Sequence, residues 1–208
     1  MTRYASMSRR AAITGAALAA LTLAGCGGKG ASSAAEGDMA LGAPEGAKVT
    51  LTEYASVTCP HCADWNAEVW PQIKAKYVDT GKVRYVFREY LTAMPDVGAA
   101  GFLLARCAGE DKYFTVVDQI FRSQAEWQAG TPPRESLLRI SDQAGLSREQ
   151  FQTCVSDKKA IASLEARLKQ AQDAGVNGTP TFLVNGVKTA DYSAETIMAD
   201  LDKALAAQ

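Results

Sequence analysis

Residues 48–62 read KVTLTEYASVTCPHC, a stretch that changes period halfway along. From Lys48 to Ala55 the side chains alternate, with Val49, Leu51 and Glu53 on one face and Thr50, Thr52 and Tyr54 on the other, the period of a β-strand. This strand carries an acid, Glu53, on its apolar face. Pro60 then suits the first position of a helix, where its missing N–H costs nothing, and Trp65, Val69, Ile73 and Tyr77 follow at four-residue spacing. Cys59 thereby falls at a helix N-terminus, with Cys62 one turn further in. Pro71 lies inside the helical pattern and predicts a kink, and Gly81 ends the unit. Val83 to Tyr90, rich in Val, Tyr and Phe, reads as a second strand, so the whole is a β-α-β unit with parallel strands and a right-handed connection.

Towards the C-terminus the period turns helical from Val97 to Gly175. Tyr113, Val116, Val117, Ile120 and Phe121 form one stripe, Thr131-Pro132 starts another helix, and Ser147 with Gln150 makes a capping box. Ile161, Leu164 and Leu168 mark a last long helix that stops at Gly175. The tail returns to β-structure: Thr181 to Val184, the turn Asn185-Gly186 and Val187 to Thr189 predict a hairpin, because Asn-Gly suits the left-handed positions of a two-residue turn. Ser193 caps a final helix with Ile197, Leu201 and Leu205 on one face. The predicted order is β-α-β, an inserted helical block over about 97–175, then β-β-α, an α/β fold.

Towards the N-terminus the composition changes. Arg3, Arg9 and Arg10 precede an uncharged run from Ala11 to Leu23, about 13 residues long, the size of a signal-peptide core and too short to cross a bilayer as a stable helix. The run ends in Leu23-Ala24-Gly25-Cys26, which resembles the lipobox of bacterial lipoproteins and so implies cleavage before Cys26 and acylation of that cysteine. The alternative is an ordinary signal peptide with an incidental cysteine. Ser8-Arg9-Arg10-Ala11 also resembles a twin-arginine signal, although Ala12 stands where a bulky apolar residue is usual. Gly27 to Gly46, rich in Gly, Ala and Ser, reads as part of a flexible tether over residues 26–46, long enough to span roughly 25 Å root-mean-square. The rest, 47–208, is one domain.

The 208-residue chain is 47% hydrophobic and 22% charged, ordinary values for a globular domain with a real core. Its net charge is −1, and the leader takes three arginines and no acids with it, leaving −4. A single histidine and an acidic balance exclude a nucleic-acid surface.

The chemistry sits in Cys59-Pro60-His61-Cys62. A disulfide exchanger needs one thiolate to attack and a second thiol close enough to resolve the mixed disulfide, and two intervening residues in a first helical turn supply that closeness. The helix dipole and the free N–H groups of the first turn lower the pKa of the first cysteine. Protonated His61 would add positive charge beside it. A structural disulfide is one alternative. A zinc site is another, but zinc takes four ligands, and the chain has no second CxxC and no other histidine, so no metal is expected there.

Cys59-Pro60-His61-Cys62 after a strand, the helical insertion, and Gly178-Thr179-Pro180 ahead of the Asn185-Gly186 hairpin together resemble the DsbA family of bacterial thioredoxin-fold oxidoreductases, over roughly residues 40 to 206. The resemblance implies a thioredoxin-like fold, with Cys59 as nucleophile and Cys62 as resolving thiol. It implies that Pro180 follows a cis peptide bond and packs on the active disulfide, and that the backbone of Thr179 pairs with substrate. Without it, Pro180 could equally be a trans proline opening a strand. Glu53 matches the family's buried acid for proton transfer; its plain alternative is a solvated strand residue. Pro-His between the cysteines is the pair of strongly oxidising members, whereas threonine before the proline is frequent in isomerases and reductases.

The resemblance implies no cofactor and places the protein outside the cytoplasm, acting on exported clients. An oxidase would be reoxidised by a quinone-linked membrane partner of the DsbB kind; an isomerase or reductase would be kept reduced by a DsbD-like partner. A copper(I)-binding lipoprotein using the two soft thiolates is the reading from another class. Cys107 and Cys154, 47 positions apart, remain. In an oxidising compartment an even count favours pairing them, against two buried free thiols acting as small hydrophobes. For the leader, mass spectrometry of membrane-extracted protein should find residues 1–25 gone and diacylglycerol on Cys26; a free Ala or Gly amino terminus beyond it contradicts the assignment.

Overall fold

The computed structural model describes residues 37–208. The leader, Cys26 and the first part of the expected tether lie outside the described residues. Strand β1 (Met39–Gly42) comes first, then β2 (Thr50–Ala55), helix α1 (Pro60–Glu68), a short α2 (Trp70–Ile73), a π-helical turn (Lys74–Val78) and β3 (Arg84–Glu89). Five helices follow: α3 (Pro95–Cys107), α4 (Glu110–Gln128), α5 (Pro133–Gln143), α6 (Arg148–Ser156) and α7 (Lys158–Asp173). The hairpin β4 (Thr181–Val184) and β5 (Val187–Lys188) and helix α8 (Ala194–Ala206) complete the chain. This is the thioredoxin-like order with a helical insertion.

The five strands stand in the order β1-β3-β2-β4-β5, and only β2 and β3 run parallel. β2 is central, so it is buried on both faces rather than one. Leu51 and Ala55 face the main core with Phe102, Ile120 and Phe182, whereas Tyr54 faces a smaller cluster with Ala171 of α7 and Val176. Asn185 and Gly186 both take positive φ, 50° and 81°, as the two-residue turn requires. Ser147 and Gln150 form the reciprocal capping box, and Ser193 accepts from Thr196 N–H.

Two expectations need correction. The stretch to Gly46 is not tether throughout, because β1 pairs antiparallel with β3, Met39 opposite Phe87 and Gly42 opposite Arg84. Met39 is buried, Asp38 holds Arg88 through two bonds of 2.9 and 2.8 Å, and the Gly37 carbonyl accepts from Arg106 Nη2 at 2.8 Å. Small residues carry little strand preference of their own, and a long-range ladder overrides them. Pro71 does more than kink its helix: α1 ends at Glu68, α2 restarts with Pro71 near its N-terminus, and the last turn widens to π.

Glu89, at the end of β3, has no side-chain exposure and is matched by Arg106 at 2.5 Å, Arg167 at 2.6 Å and the Tyr113 hydroxyl at 3.1 Å. These bonds tie β3 to α3, α4 and α7, fixing the insertion on the sheet. A disulfide joins Cys107, at the end of α3, to Cys154 in α6, with Cα atoms 6.0 Å apart. Replacing both cysteines with serine should lower unfolding free energy by about 4 kcal/mol in the loop-entropy picture. Denaturant titration of the two forms measures it; indistinguishable midpoints rule the cross-link out.

Candidate active site

The ladder between β2 and β4 assembles the site. Tyr54 stands opposite Thr181, so the chain leaving the end of β2 and the chain entering β4 meet at one end of the sheet. There Cys59 Sγ donates to the carbonyl of Thr179 at 3.5 Å, and the Thr179-Pro180 peptide bond is cis. Pro180 is buried and Thr179 half-buried. The two segments that the sequence singled out are thus in contact across 120 residues.

Cys59 occupies the N-cap of α1 in extended conformation, φ −86° and ψ 120°. An N-cap side chain ordinarily offers an oxygen to the N–H groups of the first turn. Here Pro60 has no N–H, and those of His61 and Cys62 favour a negative sulfur instead. The Cys62 thiol, donating to the Cys59 thiolate, contributes most, and the Thr179 hydroxyl adds to it, so that Cys59 drops from the usual thiol value to about 6 against the opposing effect of burial. The Thr179 hydroxyl is buried and makes no hydrogen bond within the protein, which leaves it open to the sulfur. Cys62, in contrast, is pushed up, first by burial and then by donating to Cys59 and facing Glu53. Exposure agrees with this division: Cys59 retains 6% and Cys62 none. His61 is exposed beside the turn, its ring 6.5 Å from that of Tyr192.

Glu53 is not a solvated strand residue. It is 2% exposed on the core face of β2, and burial raises its carboxyl to about 8, despite the Tyr85 hydroxyl that donates to Oε2. Its second oxygen, Oε1, bonds to no protein group. Charge on Cys59 raises it further.

Several contributors were not read from the sequence. The turn before Cys59 is held by Cys59 N–H to the Ser56 carbonyl at 3.0 Å and by Thr58 Oγ1 to the Ala93 carbonyl at 2.5 Å. Gln124 of α4, buried, donates to the carbonyls of Val57 at 2.8 Å and Cys59 at 3.2 Å. A signal for Gln124 existed: it continues the apolar stripe Val117, Ile120 and Phe121 with a polar residue. Gly101 of α3 lets that helix come close, since a Cβ there would stand 3.0 Å from Val57 and 3.3 Å from Ile120. Among the described residues no group of three or more His, Cys, Asp or Glu side chains could hold a metal ion.

Fold and site together define a thioredoxin-type redox centre with an inserted helical block. The family model described as Thioredoxin matches residues 34–203. A Rickettsia bellii protein that carries the provisional name protein-disulfide oxidoreductase is 39% identical over 82% of this chain and 65% of its own length, and a Rickettsia conorii protein of like name is 39% identical over 83% and 62%. The chain therefore spans less than two thirds of these curated relatives. Among solved structures, alpha-DsbA1 of Wolbachia pipientis superposes with a TM-score of 0.74 at 28% identity, covering 84% of this chain and 94% of that one. BdbD of Bacillus subtilis also gives 0.74, at 20% identity over 85% and 97%, a likeness of fold. The chain belongs to the thioredoxin family.

The unequal thiols have a direct consequence. With Cys62→Ser, Cys59 attacks a disulfide of an oxidised client protein and one client sulfur leaves as thiolate, but no second thiol resolves the product, so mixed disulfides should accumulate and vanish on reduction; with Cys59→Ser they should be few. Thiolate absorbance of the reduced wild type should titrate well below the ordinary thiol value of about 8.5. Equal trapping by the two variants contradicts the assignment.

Proposed function

We propose that this chain is an exported protein-disulfide oxidase that uses a Cys59–Cys62 disulfide to oxidise dithiols of client proteins, tethered through lipid on Cys26. The observation that carries this is the opposed acidity of the two cysteines at one helix start. A thiolate stabilised at Cys59 favours the reduced protein, which makes its disulfide a strong oxidant. Because the Cys59 value is lowered, that stabilisation is complete only above the ordinary thiol value and is lost as pH falls through about 6.

In the oxidising direction a client thiolate attacks Cys59 Sγ, the Cys59–Cys62 bond breaks, and the electron pair passes to Cys62 Sγ, which takes a proton from Glu53. The client's second thiolate then attacks the client sulfur of the mixed disulfide, and Cys59 leaves as thiolate. The client loses two electrons and the protein gains them. The Thr179 backbone, beside Cys59, is the edge on which an extended client segment pairs. Reoxidation reverses the steps: Cys59 attacks a disulfide of a membrane partner of the DsbB kind, and Glu53 takes the Cys62 proton as that thiol closes the ring.

Equilibration with glutathione should place the Cys59/Cys62 couple near about −120 mV, where strong oxidants of this kind lie. A value near about −270 mV, as in reductants, overturns the oxidase reading and favours a partner of the DsbD kind, consistent with threonine at 179. Reactivation of reduced as against scrambled ribonuclease separates oxidase from isomerase.

A further inference from the structure

The two oxygens of Glu53 are not equivalent. Oε2 receives the Tyr85 hydroxyl, while Oε1 has no protein hydrogen-bond partner although it is fully buried. Tyr85 comes from β3, where it stands beside Leu51 in the parallel ladder, on the face that Glu53 shares. Its ring is held between Trp70, at 4.2 Å between centroids, and Phe114, at 6.0 Å, and the residue is 3% exposed. Packing on both flanks holds the hydroxyl in place.

We propose that Tyr85 is the positioning residue of the proton-transfer step: by engaging Oε2 it reserves Oε1 of Glu53 as the oxygen that exchanges the proton with Cys62 Sγ, directly or over one water. This deepens the reading of Glu53 as the acid and base for Cys62 and rests on it. An unpinned carboxyl could turn either oxygen to either neighbour. Pinned by a donor on one side, it has one oxygen left for the thiol, and a proton shuttle needs that geometry before it needs a matched pKa. The donor itself does not ionise in the working range, because burial and the neighbouring Glu53 hold the Tyr85 phenol well above its usual value.

The groups that bear on Glu53 are Cys59 and Cys62 at the start of α1 and Tyr85 on β3, with Tyr113 of α4 acting on Tyr85 in turn. Its neighbour across the ladder in β4 is the apolar Phe182. The Tyr85 bond is the influence that lowers the Glu53 carboxyl, opposing burial and the Cys59 charge. A hydrogen bond to a carboxylate strengthens on ionisation, so losing it disfavours the charged form.

The test compares full-length reduced wild type with Tyr85→Phe, Glu53→Gln and the double variant. The protonated-carboxyl infrared band, assigned by its loss in Glu53→Gln, is followed against pH, together with the pH profile of disulfide closure by oxidised glutathione. Tyr85→Phe should raise the Glu53 midpoint by about one pH unit and move the closure profile with it. In the Glu53→Gln background the same change should alter closure by less than about twofold, since the residue acts through Glu53. 3-Fluorotyrosine at position 85 keeps the ring and strengthens the donor, so it should shift the midpoint downward; this arm stands if Tyr85→Phe does not fold. A midpoint unmoved by either replacement, or an equal slowing with and without Glu53, overturns the proposal. A wild type that does not exchange with glutathione at all overturns the oxidoreductase reading instead, and the infrared titration still decides the role of Tyr85.

Discussion

Four cross-strand pairs, from Leu51 opposite Val184 to Tyr54 opposite Thr181, hold together two segments that lie more than a hundred residues apart. The register of that ladder brings the Thr179 carbonyl to Cys59 Sγ and turns Glu53 to the face where Tyr85 and Cys62 lie. A slip of one residue in β2 would send Glu53 to the opposite face, towards the Tyr54 cluster, and take its carboxyl away from Tyr85 and Cys62. Because β2 is buried on both faces, its register is strongly specified. The catalytic arrangement inherits that precision.

The helical insertion works as a scaffold for the same turn. Gln124 bonds two carbonyls of the active-site turn that would otherwise be buried without those donors, and α3 presses on Val57 through the bare backbone of Gly101. The charged cluster around Glu89 then fastens the insertion to β3. Arg106 and Arg167 each give that carboxylate a bond, so the buried charge is compensated on both oxygens; removing Glu89 would leave two partly buried guanidinium groups without their anion. The insertion therefore stands in fixed relation to Cys59.

What could be read in advance was local. The alternation of β2, the proline at the start of α1, the Asn185-Gly186 turn and the capping box at Ser147 each declare themselves within a few residues, and each is found where its pattern places it. β1 was not legible, because Met39-Ala40-Leu41-Gly42 has a weak preference of its own and its partner strand begins more than forty residues later. Tyr85 and Gln124 looked like ordinary members of a strand and a helical stripe. Their importance comes from an acid and two carbonyls that only the tertiary fold brings within reach. Glu53 stood between, its face readable but its enclosure not.

The direction of β1 carries one more consequence. It runs against β3, so it begins beside Phe87, near the end of the sheet from which the chain departs β2 for Cys59, and it lies two strands from β2, roughly 10 Å to the side. Whatever precedes Gly37 therefore joins the domain on the redox-active end rather than the far one.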